Sequence, residues 1–431
     1  MVRDSCSSFL HLQAQLLRWV DRLADNLGMF RVPLRPERLM ELARRRTGLD
    51  DFGEWSFTEP LGVLLQAYEH EAELSAFGRV AVRWDMLRYL SNLLRLRDEE
   101  KKYPGILDEP IKQPIFILGL PRSGTTFLHN LLAEDPANIV PRCWQTIYPY
   151  PAQGGIRVGS DPRPRKVARQ FGAFLRLVPE LPDLHPLDAR GAQECVEITG
   201  QVIRSLRFDA THYVPSYGRW LDEAGHQEAY RFHKRFLQHL QYQHGAGRWI
   251  LKSPDHIYAV DELLAVYPDA RFVFVHRDPI KVLPSVARLT EILRRPFTRR
   301  VDRLQIGRQV SDRWLQGSTM LIEASESLKS SPERIFHIGH NDLVGNPFQA
   351  ILALYQHIGL VLSDEGETRI KQSIAERPDG GYGRNHYRFE DYGLNSGVER
   401  KRYGAYITHF CIEPENGAEE PIATLETAAA G

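Results

Sequence analysis

The sequence predicts an α/β fold: a three-layer α/β/α doubly wound parallel sheet preceded by an N-terminal helical extension. Three observations lead there. Short strand-like segments, Ile115–Leu118, Arg248–Leu251, Arg271–Val275 and Arg334–Ile338, alternate with stretches of helical periodicity, and the unbroken apolar run of the first fits a strand buried on both faces of a parallel sheet. Each intervening segment is long enough to bring the chain back parallel. The residues suited to anion chemistry (the loop Gly119–Thr126, Lys252 and Arg277) each follow directly on one of those runs. They should therefore gather at the carboxyl edge of the sheet, where such sheets bind ligands.

Composition sets the bounds. With 431 residues, 42% hydrophobic and 26% charged, the chain is globular with an ample core and longer than one ordinary domain. The 55 basic residues balance 55 acidic ones, which argues against a general nucleic-acid or membrane-surface binder but leaves room for a local basic site. Cys6, Cys143, Cys195 and Cys411 stand apart with no CxxC spacing, so reduced thiols and no metal site are expected. The first residues lack a signal-peptide core, and no apolar run is long enough to span a bilayer. A cytoplasmic enzyme without stable membrane insertion is the expectation.

In chain order, residues 1–104 read as helices with short breaks. Phe9, Leu12, Leu16, Trp19 or Val20, Leu23 and Leu27 keep an apolar stripe, and Glu37 to Arg46 is a short basic amphipathic segment stopped at Thr47-Gly48. A helix opening at Thr58 should run to about Phe77, with Gly78 breaking it and Val82 to Arg97 continuing. The run Asp98–Lys102 with Pro104-Gly105 suggests a hinge into an α/β domain spanning 105–411. The extension is suited to packing on the core, walling an acceptor pocket, or joining two copies in a homodimer. Leu187 to Phe208 and His226 to His244 look helical, as do Asp255 to Val266 and Phe297 to Leu328. Asp278 is placed to cap the helix that Pro279 begins. Residues 412–431, acidic and then alanine-rich, lack apolar periodicity and read as a disordered tail.

The stretch that organises the chain is Pro114–Leu132, PIFILGLPRSGTTFLHNLL. Strand, glycine-containing loop and helix in succession make a phosphate cradle, because loop and first-turn N–H groups converge on an anion at the positive helix end. The spacing Gly119-x4-Gly124 followed by Thr125-Thr126 is that of a P-loop lacking its lysine, with Thr125 in the lysine's place and a cation earlier, at Arg122. The run PRSGTT after a buried strand closely resembles the 5′-phosphosulfate loop of sulfotransferases that use 3′-phosphoadenylyl sulfate (PAPS). That resemblance implies donor contacts from Pro121, Arg122, Ser123, Gly124, Thr125 and Thr126.

Two further motifs strengthen the resemblance. Arg277-Asp-Pro with Ser285 two helical turns on is similar to the arginine–serine clamp that holds the PAPS 3′-phosphate in this family, and a guanidinium fork suits a dianion. Lys252-Ser253-Pro254-Asp255-His256 follows the second strand. In the family a lysine here touches the bridging or 5′-phosphate oxygens, and a nearby histidine is often the base. Pro254 stands where the animal cytosolic enzymes carry that histidine, so His256 looks more like the histidine of bacterial KSPxH segments. His185, Glu194 and Glu197 are other candidate bases; Gln145, where some related enzymes use a glutamate, cannot take a proton. A histidine's ordinary pKa of ~6.5 suits proton abstraction near neutrality. The glycine-rich Gly380–Arg384 and Phe389–Gly393 resemble the loop that closes over the nucleotide, with Arg384 adding to the clamp.

The implied enzyme is a bacterial-type PAPS-dependent sulfotransferase. It would move a sulfuryl group to a hydroxyl or amine of a small-molecule, glycan or lipid acceptor and release adenosine 3′,5′-bisphosphate (PAP), with no metal. Its catalytic residues would be His256 or Glu194 as base, with Lys252 and Arg122 stabilising the leaving group. Two readings compete: a P-loop kinase or other nucleotide-phosphate transferase, and a non-catalytic nucleotide-binding protein. Tyr148, Tyr150, Trp220 and Tyr230 are the aromatic residues that hint at an apolar acceptor.

Overall fold

The structure, a computed structural model, describes residues 19–30, 33–151, 161–376 and 388–415. Five strands, β1 (Ile115–Leu118), β2 (Asn138–Ile139), β3 (Arg248–Lys252), β4 (Arg271–His276) and β5 (Ile335–Gly339), form one sheet in the order β2-β3-β1-β4-β5. All neighbours run parallel. Because strand side chains alternate in direction, each apolar run serves two cores. Ile115, Ile117, Ile250, Val273 and Val275 pack on one face, against the helices Thr125–Leu132, Pro347–His357 and Asp364–Glu376. Phe116, Leu118, Leu251, Phe272 and Phe274 pack on the other, against Gln227–His244, Pro279–Arg294 and Arg303–Ser327. This is the three-layer α/β sheet the sequence implies. Only β2 escaped notice, since two residues carry no periodicity.

The central strand is β1. From it the chain steps out to β2, returns to β3 at its side, and then crosses to β4 and β5. The loop after β1 thus lies where the strand order reverses, a position that opens a crevice for ligands.

The N-terminal helices Pro36–Thr47, Thr58–His70 and Ala76–Lys102 share the sheet's second core: Leu39, Leu61, Leu64, Tyr89 and Leu93 join Phe116 and Leu118 in one cluster. The expected hinge is the last turn of Ala76–Lys102 followed by a short 3-10 turn, Pro104–Asp108. Of the apolar stripe, the residues before 19 lie outside the described ones, and Trp19 and Leu27 are exposed.

Three local expectations need correction. Gly78 does not break a helix. The break falls after His70, and Gly78 lies in the first turn of Ala76–Lys102, where its N–H donates to the Ser75 cap. A Cβ on Gly78 would stand 2.0 Å from the Phe297 carbonyl oxygen, so the residue answers to a close approach, not to a chain break. Leu187 to Phe208 is not one helix but short turns, Val196–Thr199, Gly200–Val202 and Arg207–Thr211, because its side chains are spent on the site below. The segment read as a disordered tail from 412 is described as far as Glu415, and its remainder lies outside the described residues.

Gly78→Ala should destabilise the fold by ~1–3 kcal/mol, the usual cost of overpacking. Gly62→Ala, in Thr58–His70 with nothing within 4 Å of the new Cβ, should gain up to ~1 kcal/mol. Denaturant unfolding of the two variants tests the contrast.

Candidate active site

β1 delivers the chain into the phosphate loop at Gly119, whose φ of 149° and absent Cβ let it lie against β4: a Cβ there would meet the Val275 carbonyl oxygen at 2.4 Å. Arg122 and Gly124 take positive φ (65° and 101°), folding Leu120–Gly124 back over the amino end of Thr125–Leu132. His340 Nδ1 donates to the Ser123 carbonyl at 3.1 Å and pins the loop from the β5 side. Ser123 is buried, and its Oγ has no partner among the described residues. A buried hydroxyl left unmatched beside helix N-terminal amides suits an anion with several oxygens.

Parallel register sets Lys252 beside Ile117, at the foot of this loop. Its ammonium donates to Thr126 Oγ1 at 2.9 Å and pairs closely with Glu194. The backbone holds the pair together, because the Cys195 N–H donates to the Lys252 carbonyl at 2.9 Å. Burial alone would raise the Glu194 carboxyl, but Lys252 and His185 hold it below the ordinary carboxylate value. His185 lines the same cavity. Burial lowers its pKa and Glu194 works against that, and nothing among the described residues hydrogen-bonds its ring.

Arg277 follows β4 directly, and its NH1 donates to the Arg122 carbonyl at 2.7 Å. Arg122 in turn donates from Nε to Ser285 Oγ (3.2 Å) and from NH1 to the Leu184 carbonyl (2.8 Å). Arg122, Arg277 and Ser285 thus form one connected corner. Asp278 caps its helix through the Ile280 N–H and takes a further bond from Arg400. Arg384 lies outside the described residues.

His256 lies away from the cavity. The 3-10 turn Pro254–Tyr258 sends its ring beneath the sheet, fully buried, with Nδ1 bonded to the Tyr230 hydroxyl at 2.7 Å and the ring edge-on to Phe116. Burial pushes its pKa well below the usual histidine value, and the ring is not part of the cavity wall. Glu197 is committed too. It pairs with Arg88 at 2.6 Å and Arg207 at 3.0 Å, and Asp85 completes a ring of four charges through the same two arginines. Gln145 accepts the Arg142 N–H as a helix cap.

The cavity, about 750 Å³, opens from the phosphate loop, Lys252 and Arg277 into a largely apolar chamber walled by Phe77, Trp84, Phe171, Phe174, Leu289 and Phe297, with the paired Asp85, Arg88, Glu197 and Arg207 also reaching its lining. The aromatic residues suspected from sequence (Tyr148, Tyr150, Trp220 and Tyr230) are not in that wall. The chamber went unseen because Phe77 and Trp84 keep the helical spacing of any core residue, and nothing local says that the space they face is open.

A parallel sheet whose central strand feeds a lysine-less anion loop, with basic residues arriving from the strands on either side, defines a P-loop-type α/β transferase. Residues 114–364 match the sulfotransferase family, and the chain belongs to it. It is similar to the sulfotransferase STF1 of Mycobacterium tuberculosis H37Rv, with 31% identity, a TM-score of 0.77, and 86% of this chain and 99% of that one covered. It also resembles STF9 of Mycobacterium avium, with 29% identity, a TM-score of 0.80, and 88% and 98% covered. Stf3 of Mycobacterium tuberculosis, an omega-hydroxy-beta-dihydromenaquinone-9 sulfotransferase, is 26% identical over 272 residues, 62% of this chain and 68% of that protein. The protein is therefore an enzyme, a sulfotransferase, and the kinase reading is set aside. Among the described residues no helix is long and apolar enough to cross a membrane.

If Glu197 serves the ring of charges and not the chemistry, Glu197→Gln should cost ~3–5 kcal/mol by leaving buried arginine charge uncompensated. The check is a denaturation midpoint.

Proposed function

We propose that the enzyme transfers the sulfuryl group of PAPS to the hydroxyl of an apolar acceptor held in the chamber. One observation carries the reading: Lys252, Thr126 and Glu194 meet where the anion loop opens into the apolar chamber. The loop amides, Ser123, Thr125 and Thr126 suit the 5′-phosphosulfate, and the Arg277, Arg122 and Ser285 corner suits the 3′-phosphate. The acceptor oxygen attacks sulfur in line, the bond from sulfur to the 5′-phosphate oxygen breaks, and PAP departs with that electron pair. Lys252, taken from Glu194 by the donor, neutralises the charge growing on the leaving oxygen. Losing Lys252 raises the proton affinity of Glu194, which then takes the acceptor proton. An apolar wall disfavours a glycan, whose hydroxyls would go unpaired; the lipid quinone acceptor of Stf3 supports the same choice. On this reading residues 105–411 are the catalytic domain, and the extension supplies one wall of the chamber.

PAP should raise the melting temperature without magnesium, and ATP with magnesium should do far less. With PAPS, long-chain or polycyclic alcohols should be sulfated and free sugars should not. Equal stabilisation by ATP, or transfer only to sugars, would overturn the reading.

His185 is the second reading for the base, favoured by its unbonded ring in the cavity wall. Glu194→Gln should cut turnover by ~10²–10⁴ with PAP binding retained, and His256→Ala should lower stability and leave turnover nearly intact in folded protein. The profile of kcat/KM against pH separates the two. Glu194 as base puts the acid limb below the ordinary carboxylate value of ~4.3, whereas His185 as base gives a limb set by an imidazole that burial holds below the ordinary ~6.5. Collapse in His256→Ala with full PAP binding would return the role to that histidine.

A further inference from the structure

The last described residues end on the nucleotide corner. Tyr403 and Tyr406 are buried, and Phe410 stacks on His276, the residue before Arg277, at 4.0 Å between ring centres. The chain then turns at Cys411, where φ is 50°, and the Ile412 N–H returns to the Ile407 carbonyl. Glu415 thereby reaches Arg277 and accepts two parallel bonds, from Nε at 2.7 Å and from NH2 at 2.9 Å. The remaining nitrogen, NH1, is spent on the Arg122 carbonyl. The pair is largely shielded from water, with 22% of the Arg277 side chain and 16% of the Glu415 side chain exposed.

A carboxylate on the guanidinium fork presents two oxygens in the geometry a phosphate would use. We infer that Glu415 is a resident occupant of the 3′-phosphate clamp, and that it sets the enzyme's affinity for its donor and product. This rests on the proposed role of Arg277. Binding of PAPS or PAP is then an exchange: the 3′-phosphate takes the Arg277 fork, Glu415 leaves, and residues 413–415 are released into solvent. When PAP must depart after transfer, Glu415 competes for the same donors and favours release. A nucleotide with a free 3′-hydroxyl gains nothing from the exchange. It brings no dianion to displace the carboxylate, so Glu415 acts on 3′-phosphorylated ligands alone.

The test is ligand binding by calorimetry to the full chain and to Glu415→Gln and Glu415→Ala, with PAP and adenosine 5′-monophosphate as the probes. Removing a part-buried, two-bond competitor should tighten PAP roughly fivefold or more and leave the monophosphate unchanged. In an Arg277→Ala background the gain should vanish. A second readout needs no substitution. Proteolysis by an enzyme cutting after glutamate, followed by mass spectrometry, should show faster cleavage after Glu415 when PAP is added to the wild-type chain. Unchanged or weaker PAP binding in both Glu415 variants, or protection of that bond by PAP, overturns the inference. Failure of the wild-type chain to bind PAP at all would instead sink the functional reading beneath it.

Discussion

The site depends on one close approach. Gly119 lies so near the Val275 carbonyl oxygen that no side chain fits between β1 and β4 at that point, and this lets the phosphate loop turn flat across the sheet edge. Had the loop stood away from β4, Arg277 could not donate to the Arg122 carbonyl, nor Arg122 reach Ser285. The same contact fixes the far side: with β1 held in register beside β3, Lys252 arrives at the loop's helical end and meets Thr126. A backbone contact without chemistry of its own thus decides which cations face which phosphate, and at what separation. Positioning of this kind is most of what group transfer asks of a protein.

Two of the site's cations are balanced by carboxylates in the resting enzyme. Lys252 has Glu194, and Arg277 has Glu415. Isolated, buried or half-buried charges of this density would repel one another and cost desolvation energy. Paired, they keep their geometry until a ligand with more negative charge takes them over. The carboxylates are therefore part of how the basic site folds at all, in a chain whose formal charge is zero. On the proposed reading, donor binding becomes a change at the reaction centre: Glu194 turns from partner of a cation into neighbour of an acceptor hydroxyl without having to move.

Legibility in the sequence followed the range of the interactions. The sheet, the loop and the strand-end placement of Lys252 and Arg277 were readable because each is written in consecutive residues, and the rule that ligands sit at strand carboxyl ends did the assembly. The chamber was not readable. Phe77 and Trp84, Phe171 and Phe174, and Leu289 and Phe297 come from three distant segments, and each pair reads as ordinary core in its own stretch of sequence. His256 misled for a related reason. Its place after a strand-end lysine is right in sequence, but the 3-10 turn at Pro254 rotates it under β1 to the Tyr230 hydroxyl. Disorder at Glu413 onward was inferred from composition, which registers the lack of apolar residues and cannot register a cation waiting at the end of the segment.

An ionic cradle opening directly into an apolar chamber also has an energetic logic. With water excluded by the aromatic walls, the attraction between Lys252 and a departing phosphate oxygen is screened far less than in bulk solvent. Most of the exposed wall is apolar, and the charged residues that also reach it, Asp85, Arg88, Glu197 and Arg207, are paired with one another, so on the proposed reading binding energy comes mainly from buried apolar area. On that reading, selectivity for an apolar alcohol and acceleration of sulfuryl transfer have a common source. The N-terminal helices belong to this economy. By supplying Phe77 and Trp84 to the wall they add apolar surface opposite the anion loop, Lys252 and Arg277, which all lie in the sheet domain. An extension without chemistry of its own thereby raises the worth of every charge across the cavity from it.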